Sequence, residues 1–163
     1  MAWIEALKQT EAGRELLTFL ISMVPILELR GAIPMGVAMG LDPWRAMIFA
    51  DLGNMVPVPF IIIFIRRIFD WMQLKSKKLS AWVEKNEAKA ETKWEEVHKY
   101  ELLGLAILVA IPLPGTGAWT GALIAALMDI RLKHAFPAIF LGVIAAGFIV
   151  LGVTHGFTTA FAG

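Results

Sequence analysis

The chain has no cysteine, which excludes disulfides and thiolate metal sites. Its three histidines, His98, His134 and His155, are too scattered to form a ligand cluster. Charge is also scarce: 18% of the 163 residues are Asp, Glu, Lys or Arg against 58% apolar, and mean hydropathy is +0.67. Leu102 to Met128 holds no ionisable side chain, and Ala135 to Gly163 holds only His155. Both runs exceed the roughly 20 residues that span a bilayer as a helix, so a soluble fold is excluded and an integral membrane protein is expected. The opening MAWIEALKQTEAGRE carries acids and lacks a basic stretch followed by an apolar one, so no cleavable signal peptide is expected. A net charge of +1 gives no footing for nucleic acid. No nucleophile, metal set or acid–base pair stands out, so neither catalytic residues nor metal ligands are assigned and an enzyme is not expected.

What charge there is gathers in the middle. Arg66 to Glu101 contains nine Lys/Arg and seven acids without Gly or Pro, and Leu79, Trp82, Val83, Asn86, Ala90, Trp94 and Val97 recur at helical spacing. Residues 70–100 therefore read as an amphipathic helix or helical hairpin: interfacial, partner-binding or simply solvated. Nine of the fifteen basic residues lie between Arg66 and Glu101, so the positive-inside rule places this middle segment in the cytoplasm.

On either side lie two similar halves. PILELRGAIPMGVAMGLD from Pro25 aligns on PLPGTGAWTGALIAALMD from Pro112 at an offset of 87, and Gly53 meets Gly142 if two residues are inserted. Leu16 to Gly40 is too short for two spans and too broken by Pro25, Gly31 and Pro34 for one helix, and Pro112 and Pro114 break the second half alike. The expected solution is a re-entrant hairpin in each half, over 16–40 and 102–128, followed by a spanning helix over 46–65 and 134–155. Irregular backbone at membrane depth needs a protein-lined or wet cavity, so the turns mark a site. With the middle cytoplasmic, the halves have opposite orientations, as in transporters built from inverted repeats.

Glu28 and Arg30 lie at the first break, where a charge needs a pair, a wet cavity or a function. They either neutralise one another or bind a proton and an anion, the guanidinium offering a bidentate fork. Asp51, with Asn54 one turn on, is the sole carboxylate in the following span; it caps a kink, partners Arg30 or carries a proton. Gly115, Thr116 and Gly117 expose backbone N–H groups and a hydroxyl that suit an anion, or serve only the turn. Asp42 and Asp129 sit where N-caps belong, and Trp119 is assigned to packing.

ELRGAIP in the first half and PLPGTGAWTG in the second resemble the signatures of the small multi-drug export protein family, and the paired hairpins resemble those of the wider DedA/VTT superfamily. The resemblance implies a proton-dependent membrane transporter, since some superfamily members move undecaprenyl phosphate or scramble phospholipids. The basic motif of typical DedA proteins is absent from the second half, where the neutral Gly115, Thr116, Gly117 turn stands instead.

The expectation is an all-α, multi-pass protein of the inner or plasma membrane, with residues 1–163 as one domain. It comprises repeat one at 16–69, a cytoplasmic amphipathic segment at 70–100 and repeat two at 101–163. The expected function is proton-gradient-driven transport of an amphipathic anion, foremost an isoprenoid-phosphate lipid. The alternatives are export of hydrophobic cations, through Glu28 and Asp51, and a non-transporting scaffold. No cofactor is expected. The expected partners are the bilayer, a lipid or small amphipathic substrate, and a second copy in a homodimer.

Overall fold

A computed structural model describes residues 5, 7–75, 94–113 and 116–161, which are helical with no strand among them. Helix α1 (Glu11–Ser22) starts where the Thr10 hydroxyl accepts the Gly13 N–H at 3.1 Å. It ends three residues before Pro25, and the chain turns through 23–27 into α2 (Glu28–Ala38). Asp42 caps α3 (Pro43–Met55) as expected, accepting from the N–H groups of Trp44 and Arg45 at 3.0 and 3.3 Å, with Pro43 in the first turn. Only Val56 separates α3 from α4 (Pro57–Lys75). After the middle segment come α5 (Trp94–Ala110), α6 (Ala118–Leu127) and the 30-residue α7 (Leu132–Phe161). Two stretches, Pro43–Ile68 and Leu132–Gly156, are long and apolar enough to cross a membrane. Phe60, Phe64, Leu141 and Val153 on them are more than 60% exposed, as lipid-facing side chains would be.

The breaks differ from expectation. Pro34 and Gly31 lie inside α2, not at the turn. Pro34 withdraws one helix N–H, but packed neighbours hold α2 together, and Gly31 merely makes room for the Leu27 side chain, 3.1 Å from where a Cβ would stand. Pro25 and Pro112 do fall in the irregular stretches; Pro114 and Gly115 lie outside the described residues. The amphipathic segment is not separate at its described ends: α4 runs through to Lys75 and α5 enters from Trp94, while 76–93 lie outside the described residues. Lys and Glu are good helix formers, so nothing in the sequence stops either helix at the charge boundary.

Two antiparallel helical hairpins result. Gly36 on α2 faces Thr18 on α1, and Gly121 on α6 faces Val109 on α5, each glycine too close for a Cβ to fit without movement. Each long helix packs on the first arm of its own hairpin through a glycine: Gly53 against the Phe19 carbonyl and Gly142 against the Ala106 carbonyl, at 2.2 and 2.6 Å from ideal Cβ positions. In addition α2 packs on α7 and α6 on α4, so the halves share one core through Ile33, Ile62, Val109, Ile139 and Val143.

Both hairpins end in the same turn. The Leu41 N–H reaches back to the Gly36 carbonyl at 3.0 Å, and the Ile130 N–H to Ala125 at 2.9 Å, with Gly40 (φ +89°) and Asp129 (φ +55°) left-handed between them. Asp129 is thus the terminator of α6 and not an N-cap of α7. Its carboxylate meets Arg66 on α4 at 2.6 Å. Asp129→Ala should cost about 1–2 kcal/mol, losing that partly exposed pair while keeping the strained backbone. Asp129→Gly should be close to neutral, since relief of strain offsets the lost pair. Thermal unfolding of the two variants in micelles checks the ordering; alanine at least as stable as glycine would contradict it.

Candidate functional site: a clasp between two broken hairpins

A helix broken inside a protein leaves carbonyls at one stump and N–H groups at the other, and each needs a partner when water is excluded. The carboxylate of Glu28, only 5% exposed, accepts the backbone N–H of Trp119 through Oε1 at 3.2 Å, in the first turn of α6. Negative charge at a helix N-terminus is favoured both by the free N–H groups and by the dipole. Glu28 caps α6 from the other hairpin. It does so at φ +46°, a conformation costing a non-glycine residue about 1 kcal/mol or more, which the surroundings must impose.

Arg30 treats the opposite stump. Its Nη1 donates to the Leu113 carbonyl, and its Nη2 to the Ile111 carbonyl at 3.1 Å and the Thr116 hydroxyl at 3.0 Å. Thr116 lies 2.7 Å from the Ile111 carbonyl and 2.9 Å from that of Leu113, completing the knot. Only Nε of the guanidinium is buried without a partner. Glu28 and Arg30 are not joined in any ion pair among the described residues; each reaches to the other half.

Trp119, assigned to packing in the sequence, returns the contact: its indole Nε1 donates to the Met23 carbonyl at 3.2 Å, at the end of α1. Arg30 and Trp119 therefore play matching parts, and they stand 89 positions apart. So do Gly36 and Ala125, Leu41 and Ile130, and Gly53 and Gly142. The same offset pairs Glu28 with Gly117, and these two meet: a Cβ on Gly117, itself at φ +146°, would lie 1.9 Å from Glu28 Oε2. The ungapped alignment at 87 misses this by two residues, so it does not set Trp119 opposite Arg30.

Of the expected site residues, Glu28, Arg30, Thr116 and Gly117 come together. Asp51 and Asn54 are placed otherwise. Asp51, 7% exposed, lies against Gly147 on α7, whose ideal Cβ position is 2.8 Å from Oδ1. Asn54 is fully buried, and no ion pair links Asp51 to Arg30 among the described residues. Gly147, a further residue the sequence did not single out, gives Asp51 its room. No group of three or more His, Cys, Asp or Glu side chains suited to a metal occurs among the described residues.

Two stretches long and apolar enough to cross a membrane, two helical hairpins and a charged clasp where the hairpins break are the features of a helical membrane protein with its polar groups turned inward. The model of the family described as "Putative small multi-drug export protein" matches residues 28–149, and the chain belongs to that family. The match opens on Glu28 and takes in the clasp and the Asp51 region. No curated protein and no solved structure matches the chain.

Proposed function

We propose that the protein is a secondary transporter that exports hydrophobic cations, exchanging them for a cation that enters at Asp51. The observation that carries this reading is the buried Asp51 carboxylate in an apolar span, in no ion pair among the described residues. Such a carboxylate is costly in hydrocarbon unless something positive visits it.

The expectation of an anionic lipid rested on a free guanidinium fork. Both Nη atoms of Arg30 are instead turned to carbonyls and to Thr116, so its charge serves the break of the second hairpin. A guanidinium engaged in this way is also no obstacle to a cation substrate at Asp51. The family description, an export protein, supports the same direction.

In this reading the two halves are inverted repeats and their hairpins re-entrant, with the positive-inside rule placing Arg66, Arg131 and Lys133 in the cytoplasm. The Glu28–Trp119 and Arg30–Leu113 contacts hold the hairpin tips together near mid-membrane, and access alternates as one half rocks on the other. The kinship to DedA/VTT-like proteins would then lie in this plan and not in a lipid-phosphate substrate.

Purified protein in liposomes tests the proposal against its rival. Efflux of a lipophilic fluorescent cation should depend on an imposed ion gradient, and Asp51→Asn should reduce it to the level of empty vesicles. Transbilayer movement of a polyprenyl phosphate without cation efflux would overturn the proposal.

A further inference from the structure

We propose that Asp51 and Asn54, at the C-terminal end of α3, hold a sodium ion. Three observations converge on this spot. Asp51 Oδ1 is buried and has no hydrogen-bond partner. Asn54, one turn on and fully buried, has none at either amide atom. Buried amides without partners are rare in native proteins and ask for an explanation, such as a water or an ion that completes the site.

The third observation is the break in the span. In an uninterrupted helix, residues 57 and 59 would donate to the carbonyls of residues 53 and 55, but both are proline and neither has an N–H. The Gly53 carbonyl finds a substitute donor in the Val56 N–H at 3.3 Å. The Met55 carbonyl loses its regular one. The end of α3 therefore combines a carboxylate oxygen, an amide oxygen, a surplus backbone carbonyl and the negative end of a helix dipole. Interrupted membrane helices bind alkali cations with this kind of donor set.

The chemistry favours an ion over a proton. A proton on Asp51 would answer one of the unpaired oxygens and leave Asn54 and Met55 as they are. A hard monovalent cation draws on the Asp51 and Asn54 oxygens together, and water in its shell can serve the Asn54 Nδ2–H group and the Met55 carbonyl. One carboxylate charge balances one positive charge, which disfavours a divalent ion in an apolar setting. Gly147 leaves the room on the α7 side that a Cβ would fill. That this ion drives export rests on the function proposed above; that the site binds sodium does not.

The test is equilibrium binding of ²²Na⁺ to the purified full chain in micelles, with N-methyl-D-glucamine chloride holding ionic strength constant. Wild type should bind saturably, unlabelled NaCl should compete, Asp51→Asn should bind none, and Asn54→Ala should bind about tenfold or more weakly, the usual effect of losing one supporting ligand. Should Asn54→Ala not elute as a single species, Asn54→Ser is read instead, with a shift in the same direction. No saturable binding by wild type, or wild-type affinity in the Asn54 variant, overturns the site. Export driven by a pH gradient in a protein that binds no sodium would overturn this inference and leave the export reading standing. Saturable sodium binding without export of any cation would do the reverse.

Discussion

Gly117→Ala is expected to destabilise the protein by on the order of 3 kcal/mol, although it adds a single methyl group. Two costs add. At φ +146° the position suits glycine and strains any other residue. The new Cβ would also lie 1.9 Å from Glu28 Oε2 and 2.7 Å from its Cδ. That carboxylate cannot simply turn away, because Oε1 accepts the Trp119 N–H and leaving it would strand a buried donor. Gly104→Ala and Gly152→Ala, where a Cβ meets nothing within 4 Å, should be neutral or slightly stabilising. Thermal unfolding in micelles gives the comparison. A double-mutant cycle with Glu28→Ala adds a sharper check, since removing the carboxylate removes the clash. The pair should be more stable than the sum of the single losses by about 1 kcal/mol or more. Strict additivity would mean that Glu28 does not lie over Gly117.

How much of this was legible in the sequence depends on where each interaction keeps its signature. The long spans were legible because hydrocarbon demands both length and apolarity in one helical stretch, and among the described residues α3–α4 and α7 supply both. The first break was legible at Pro25 but not at Pro34, because a proline's penalty is local and a packed helix can absorb it. Asp129 was misread because aspartate suits both an N-cap and a left-handed terminator; the deciding fact is the Ile130 to Ala125 backbone bond, which no side chain announces. Glu28 and Arg30 stood out as charges in an apolar run, yet their partners did not. Those partners are the Trp119 N–H and the Ile111 and Leu113 carbonyls, backbone groups that every residue has. Thr116 was the one partner with a side chain to give it away. The offset of 89 was half visible, since Gly53 and Gly142 already required it, but apolar similarity drew the hairpin alignment to 87. Asp51 could be picked out by charge alone, whereas its setting against Gly147 required the packing of α3 on α7.

Arg30→Ala is expected to cost about 3 kcal/mol and to abolish transport of every substrate alike. The Ile111 and Leu113 carbonyls would lose their charged donor and keep only neutral ones, the Leu113 and Thr116 backbone N–H groups and the Thr116 hydroxyl, and Glu28 would lose the positive charge two residues away. A charge-assisted bond contributes more than a neutral one, and here a single planar group serves two carbonyls and a hydroxyl at once. Arg30→Lys separates the two possible uses of the residue. An ammonium keeps the charge but cannot span those acceptors in one plane, so a structural clasp predicts an intermediate loss of stability, roughly half that of alanine. Export by the folded fraction of this variant should then keep the KM of wild type, because the side chain never touches the substrate. A guanidinium that grips an anionic substrate predicts the opposite split: unchanged unfolding temperature and a KM raised tenfold or more, on the order of one lost bidentate contact. Measuring unfolding temperature and KM on the same Arg30→Lys preparation therefore decides whether this arginine holds the hairpins or the cargo. The three contacts it makes across the break predict that it holds the hairpins.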